Sequence, residues 1–301
     1  MVSSWFKWMA MLLYMVLIFG AFMGGSFIWA WVMMELSLMI GLSLMYFFDV
    51  KLGVLMEYYI YQSSSSLLML LGWLGGQSAI LMLAVFMKLG LFPFQAYMIK
   101  VIVELKGMMF LLVLLLQKFI PFYLVFMLIG WGWTVEWMML MSVLFSVFLG
   151  CMGGLVVNTF SGLMAYSSLV HSSWMTLMLF MDSSVFIFYA GMYMLILLMV
   201  VFSWDIYSSN SLLSSLMVVV SGFPPLLGFI MKFKMMYVGV GLYSILFYIM
   251  MLMSVMSFIY YLRLMVNYMT ESFVSVSSSP VVSSKVLISV LFLSLVGVLV
   301  V

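Results

Sequence analysis

Charge is the scarcest commodity in this chain. Ten basic and eight acidic residues in 301 make 6%, whereas an ordinary soluble domain carries roughly a quarter. A single cysteine, Cys151, excludes an intrachain disulfide, a multi-cysteine zinc site and a four-cysteine iron–sulfur cluster. No basic tract suggests nucleic acid, and a net charge of +2 says little about other partners. No Gly-rich phosphate loop follows a strand, and nothing forms a nucleotide, flavin or metal motif. The longest connection, about 265–284, is Ser-rich and too short to bury a soluble core. With five prolines and one histidine in the whole chain, the place of each carries information.

What remains is hydrocarbon. The chain is 68% hydrophobic with a mean hydropathy of +1.37. In windows of about 20 residues, the length that spans a bilayer core, apolar runs fall at about 5–24, 27–47, 54–74, 78–98, 107–129, 134–156, 159–181, 184–203, 212–236, 240–264 and 285–301. The expected fold is all-α, a polytopic membrane protein of about eleven transmembrane helices in one integral membrane domain, 1–301. The runs are apolar all round, unlike the alternating segments of a transmembrane barrel. The first run is longer than a secretory apolar region, has no small-residue cleavage pattern, and reads as a retained helix. The 38 methionines fit either a pliable interface or a coding bias that swaps Met for Ile and Leu. With eleven spans, Lys7, Lys51, Lys100, Lys106, Arg263 and Lys285 share the side of the N-terminus, against Lys234 opposite. Such a bias puts the N-terminus in the cytoplasm-equivalent compartment and the C-terminus across the membrane.

Four charges sit inside spans: Glu35, Lys88, Lys118 and Lys232. Each costs about 2.5–3.5 kcal/mol at a helix centre, together on the order of 10 kcal/mol, comparable to a domain's net stability. Pairing, water or neutralisation must offset this. Burial disfavours a charged amine and a nearby carboxylate restores it, so such a lysine is poised to exchange a proton. The alternatives are a structural ion pair or snorkelling to the interface. Snorkelling suits Lys232, late in its span, better than Lys118, which has long apolar flanks on both sides. One carboxylate cannot pair with three lysines.

Two of the spans are interrupted. The fourth reads FMKLGLFPFQAY, with Lys88, Gly90 and Pro93; the ninth reads GFPPLLGFIMKFK, with Gly222, Pro224, Pro225 and Lys232. Proline removes a helical hydrogen bond and frees carbonyls, which is tolerable in a bilayer only where protein or cavity water takes them up. A plain proline kink is the simpler reading of either span alone. Interrupted helices at matching places in two halves point instead to a transporter of inverted repeats. Spans 1–5 (about 5–129) and 6–10 (about 134–264) form the two five-helix units, with 285–301 as a terminal helix. His171 lies in LMAYSSLVHSSWM beside Ser167, Ser168, Ser172 and Ser173. It reads either as an interhelical hydrogen-bonding residue or as a proton relay.

The segments MKLGLFPF (87–94), LLQKFIP (115–121), GGL with LMAYSSLVHSSWM (153–175), SGFPPLLGFIMKF (221–233) and FIYYLRL (258–264) resemble one known family. It is the chain 2 family of mitochondrial NADH–ubiquinone oxidoreductase, the antiporter-like membrane subunits of respiratory complex I. The resemblance implies two inverted five-helix repeats, each with a broken helix, plus a lateral terminal helix. It implies proton translocation through a mid-membrane row in which Glu35 and Lys88 form a coupled pair, Lys118 is central and Lys232 lies on the second broken helix. It also implies a multi-pass protein of the mitochondrial inner membrane with its N-terminus on the matrix side and its C-terminus towards the intermembrane space. Partners would be the other membrane-arm subunits, especially neighbouring antiporter-like ones, and lipids. This chain would hold no cofactor, with NADH, FMN, iron–sulfur clusters and ubiquinone bound by other subunits. The chain departs from the pattern at Gln95 to Lys100, where the family has a His, an aromatic pair and Pro-Glu, and at Ser161 and Gly162, which replace a basic pair. Two further readings are a stand-alone cation/proton antiporter and a structural spacer with relic charges.

Overall fold

In hydrocarbon a backbone amide has no water to bond, so a chain this apolar must close its hydrogen bonds within helices. The structure, a computed structural model, describes residues 4–105, 107–129, 132–207, 216–217, 219–223, 226–239 and 244–274. Every regular element among them is helical. In chain order these are α1 (Ser4–Met23), α2 (Phe27–Phe47), α3 (Leu52–Leu74), α4 (Ser78–Leu89), α5 (Gln95–Glu104), α6 (Met108–Leu128), α7 (Trp133–Val156), α8 (Phe160–Met181), α9 (Ser183–Tyr207), α10 (Leu227–Gly239) and α11 (Ser244–Val274). Residues 216–217 and 219–221 are also helical.

Six helices among the described residues, α1, α2, α6, α7, α9 and α11, are long and apolar enough to cross a membrane. Helices α3 and α8, at 23 and 22 residues, match them in length but carry clusters of serine that lower their hydropathy. The chain is thus an all-helical, polytopic membrane protein. Span 4 of the sequence reading is two helices, α4 and α5, separated at Gly90 to Phe94. Pro224, Pro225, Lys106, Lys285 and the expected helix 285–301 lie outside the described residues, as do 208–215.

The described residues group into two compact units, Met1–Gly150 with Met164–Phe180, and Cys151–Leu163 with Met181–Val301. In the first, α3 packs along α4 and α5, α1 along α2, and α6 against α1, α2 and α4. Helix α6 is the centre: 72% of its apolar window is buried, against 17% in α1. Helix α1 turns Trp5, Trp8, Leu12, Val16 and Phe19 outward, the surface that lipid requires. Leu112–Leu116 of α6 form a π-helical turn, followed by an α-helical segment with Pro121 inside it. Towards the far end of this unit, Gly150 lies close under Tyr166 and Val170 of α8, and the Ser146 and Ser173 hydroxyls meet at 2.6 Å. Small residues and hydroxyl pairs of this kind bring membrane helices together.

Lys7, Lys51 and Lys100 share one end of this unit. Lys51 pairs with Glu104 at 2.7 Å and Lys100 with Glu57 at 2.8 Å, while the Lys7 ammonium lies 4.5 Å from the centre of the Phe48 ring. The two ion pairs tie α5 to the start of α3. Being exposed and screened by solvent, each contributes little stability.

In the second unit α10 packs on α9 and α11, and the Lys234 ammonium lies 4.0 Å above the Phe188 ring. The last carbonyls of α7 have no helical donor. Arg263 of α11 supplies one, donating through Nη1 to Leu155 O at 2.6 Å and through Nη2 to Val157 O at 2.6 Å and Gly154 O at 3.3 Å. A cation at a helix C-terminus also complements its dipole. Replacing Arg263 with Met should lower thermal stability by about 2 kcal/mol, read from melting in detergent. Lys at this position should recover only part of the loss, since it lacks the planar fork.

Candidate functional site

Helix α4 ends at a glycine that only a left-handed conformation can satisfy. Gly90 has φ +68° and its N–H bonds Met87 O, while Leu91 N–H bonds Phe86 O, the paired closure of a Schellman motif. A Cβ here would lie 2.3 Å from Met98 Cγ. The chain then passes a cis Phe92–Pro93 bond and restarts as α5. The break leaves the Lys88 carbonyl without a helical donor and gives that of Met87 only the Gly90 N–H. Tyr97 Oη donates to Met87 O, and Gln62 Nε2 donates to Lys88 O at 3.3 Å and to Tyr97 Oη at 3.1 Å. Side chains of α3 and α5 thus take up what the proline break releases, as a bilayer demands.

Lys88 therefore sits in the last turn of α4, with its side chain 1% exposed. Its Nζ donates to Glu35 Oε1 of α2 at 3.1 Å, and Glu35 keeps 23% exposure. The pair is asymmetric: the amine is sealed inside while the acid reaches the outer surface of the unit.

Lys118 is buried on α6, two residues past the π-helical turn. It has no ion-pair partner among the described residues, but it does not face dry packing. With Lys88 it lines a cavity of about 20 Å³ whose other polar walls are Ser37, Tyr58, Gln62 and Gln117. That volume holds one water, and water needs two to four polar partners, which these groups provide. Tyr58 Oη donates to Gln117 Oε1 at 2.5 Å, and Gln117 Nε2 is buried without a hydrogen-bond partner. Glu35, Lys88 and Lys118 are so gathered around one polar centre in a single unit.

Tyr58, Gln62, Tyr97 and Gln117 are site residues that sequence reasoning missed. The signal was present as a polar amide in mid-run: Gln117 directly after a leucine stretch, Gln62 between Tyr61 and four serines. Tyrosine gives none, being at home in membrane helices.

In the second unit, Lys232 of α10 is buried and its Nζ donates to Ser221 O at 3.1 Å. The acceptor lies just before the Gly222–Phe223 break, where Gly222 has φ +86°. The backbone is tight: a Cβ on Gly222 would lie 3.0 Å from Lys232 Nζ, and one on Gly228 would lie 2.5 Å from Val219 O. Lys232 thus bonds inward to interrupted backbone and does not reach for a surface. Pro224 and Pro225 are outside the described residues. His171 is buried on α8 among Ser167, Ser168, Ser172 and Ser173, and is not among the residues that line the cavity. Pro93 borders a separate, apolar groove with Phe92, Trp137 and Phe145.

Helical architecture, a proline-broken helix and buried lysines at helix breaks together invite comparison with known proteins. The chain is similar to NADH-ubiquinone oxidoreductase chain 2. It is 30% identical over 191 residues to that protein of Mytilus edulis, covering 58% of this chain and 59% of the relative. For Rhinoceros unicornis the figures are 31% over 172 residues, 52% and 49%, and for Canis lupus 28% over 208 residues, 58% and 59%. The matched part thus spans between half and three-fifths of these relatives. No family model matches the chain. Among solved structures, a chain of the Mrp complex from Dietzia superposes with TM-score 0.74 at 12% identity, over 85% of this chain and 59% of that one. A chain of respiratory complex I from Thermus thermophilus superposes with TM-score 0.73 at 19% identity, over 89% and 72%. At such identities the likeness is one of fold.

The Lys88–Glu35 pair generates a stability test. Removing one partner strands the other, so Glu35→Ala alone should cost on the order of 2 kcal/mol, less than for a fully buried pair because Glu35 is partly exposed. Adding Lys88→Met should restore part of that loss, which a double-mutant cycle of thermal unfolding would measure.

Proposed function

We propose that this chain is an antiporter-like, proton-translocating subunit of a respiratory NADH:ubiquinone oxidoreductase in the mitochondrial inner membrane. The observation that carries the reading is the convergence of Lys88, with its carboxylate partner, and Lys118 on one water-sized polar cavity at a helix break. Similarity to chain 2 proteins and a fold shared with a complex I chain support it. Electron transfer, with NADH, flavin, iron–sulfur clusters and ubiquinone, belongs in this reading to other subunits, and the neighbours are membrane-arm subunits and lipid. The basic end that carries Lys7, Lys51 and Lys100 faces the matrix.

The residues would work as follows. A change of charge outside Glu35 weakens or strengthens its hold on Lys88, since an opposite charge within about 4–6 Å moves a proton affinity by one to three units. Lys88 in turn sets the proton affinity of Lys118 through the cavity water, and the coupled groups titrate as a set. Lys232, seated on the second broken helix, continues the row, and His171 is a candidate relay. Whether protons cross within this chain or pass sideways is a property of the assembled complex.

A second reading is a stand-alone cation/proton antiporter, for which a proline-broken helix carrying a buried lysine is equally suited. Purification separates the two: a subunit co-purifies with an NADH-oxidising assembly, an antiporter is isolated alone and transports in liposomes. Within the first reading, Lys118→Met should abolish or sharply reduce proton pumping while assembly is preserved. Full pumping by that variant, measured as proton translocation per electron in sealed membranes, would refute the route.

A further inference from the structure

Gln117 lies beside both lysines yet belongs to no ion pair. A primary amide brings two donors and a carbonyl acceptor. Here Oε1 accepts from Tyr58 at 2.5 Å, while Nε2 is buried with no hydrogen-bond partner. Helix α2 makes room for that nitrogen, because a Cβ on Gly41 would stand 2.5 Å from it. The same side chain lines the cavity shared by Lys88 and Lys118. A buried, unmet donor is destabilising, and a leucine would fill the space without that penalty. Packing therefore gives no reason for an amide opposite a glycine at this point.

We propose that Gln117 is a positioning residue for proton exchange between Lys88 and Lys118, an amide hinged on Tyr58 that turns over as the charge moves. The inference rests on the proton-translocating reading. A phenol accepts as well as donates, so the hinge survives rotation: Tyr58 donates to Oε1 in one orientation and accepts from Nε2 in the other. With Nε2 facing the cavity, the amide donates to the oxygen of a water or to the lone pair of a neutral amine. With Oε1 facing it, the amide accepts from an ammonium. The proton itself never bonds to the amide. It leaves one lysine Nζ for the water oxygen as an N–H bond breaks and an O–H bond forms, and a second proton leaves that oxygen for the other Nζ. One positive charge is conserved throughout. The remaining polar groups of the cavity are Ser37 on α2 and Gln62 on α3; Tyr14 of α1 has its ring beside Gly41 and its hydroxyl buried without a hydrogen-bond partner among the described residues, and Glu35 acts through Lys88.

Three variants test this in sealed membranes that hold the chain with its partner subunits, with proton translocation and electron transfer measured together. Gln117→Met keeps the length and removes both polar ends. Tyr58→Phe removes only the hinge oxygen. Gly41→Ala pushes the flexible amide aside and leaves its chemistry intact. Each should slow proton translocation about tenfold or more and raise the solvent deuterium isotope effect on pumping, because transfer across the cavity becomes limiting. A packing defect would leave that isotope effect unchanged. Native pumping in Gln117→Met, while Lys118→Met pumps nothing, overturns the role of the amide and leaves the proposed function standing. Native pumping in both overturns the proposed function itself. If Gln117→Met fails to assemble, Tyr58→Phe decides, and a native rate with a native isotope effect overturns the inference.

Discussion

An amine in hydrocarbon must find oxygen, and the architecture around the breaks follows from that requirement. Each described mid-span lysine meets it differently. Lys88 has a carboxylate, Lys232 has the carbonyl of Ser221, and Lys118 has a cavity with room for a water. The three form a graded series, from an anionic partner through a backbone dipole to solvent.

Helix α3 is the rib that makes this possible. Its buried face carries Tyr58, Gln62, Ser65, Ser66 and Met69, spaced at intervals of three and four residues, so one stripe of the helix faces inward. Ser65 and Ser66 spend their hydroxyls on their own helix, at 2.7 Å to Gln62 O and Ser63 O. Tyr58 and Gln62 reach across. Because α3 packs against both α4 and α5, it bridges the two halves of the broken helix, and its amide replaces a bond the backbone has lost. The serine content that lowers the hydropathy of this span is a by-product of that role.

Much of this could be read in advance, for reasons specific to each residue. Lys88, Lys118 and Lys232 stood out because a charge in an apolar run is costly and therefore rare. Gly90 and Pro93 located the break because one demands a left-handed backbone and the other forbids a helical donor. Helix ends in the first half were visible where an apolar run met glycine or serine, as at Phe27, which follows Gly24, Gly25 and the N-cap Ser26. They failed where a helix outlasts its greasy part: α11 continues to Val274 through Asn267 and Glu271, beyond the expected end at 264, since hydropathy is blind to a helix that leaves the bilayer. The part of the site made by Tyr58 and Gly41 was not legible, and the signal that Gln117 gave did not name its partners. Its meaning lies in the meeting of three helices, and a glycine whose use is to admit another helix's amide looks like any other glycine.

The π-helical turn at Leu112–Leu116 sets the phase of everything after it in α6. A run of leucines has no preferred face, so it absorbs one surplus residue without exposing anything polar. That surplus rotates the following segment by about 100° relative to an unbroken α-helix. The lysine and glutamine that meet the cavity therefore owe their azimuth to a stretch of chain with no functional group in it. Trimming a single leucine there would tidy the helix and swing both residues off their mark, which makes the blandest five residues of the span the ones that aim it.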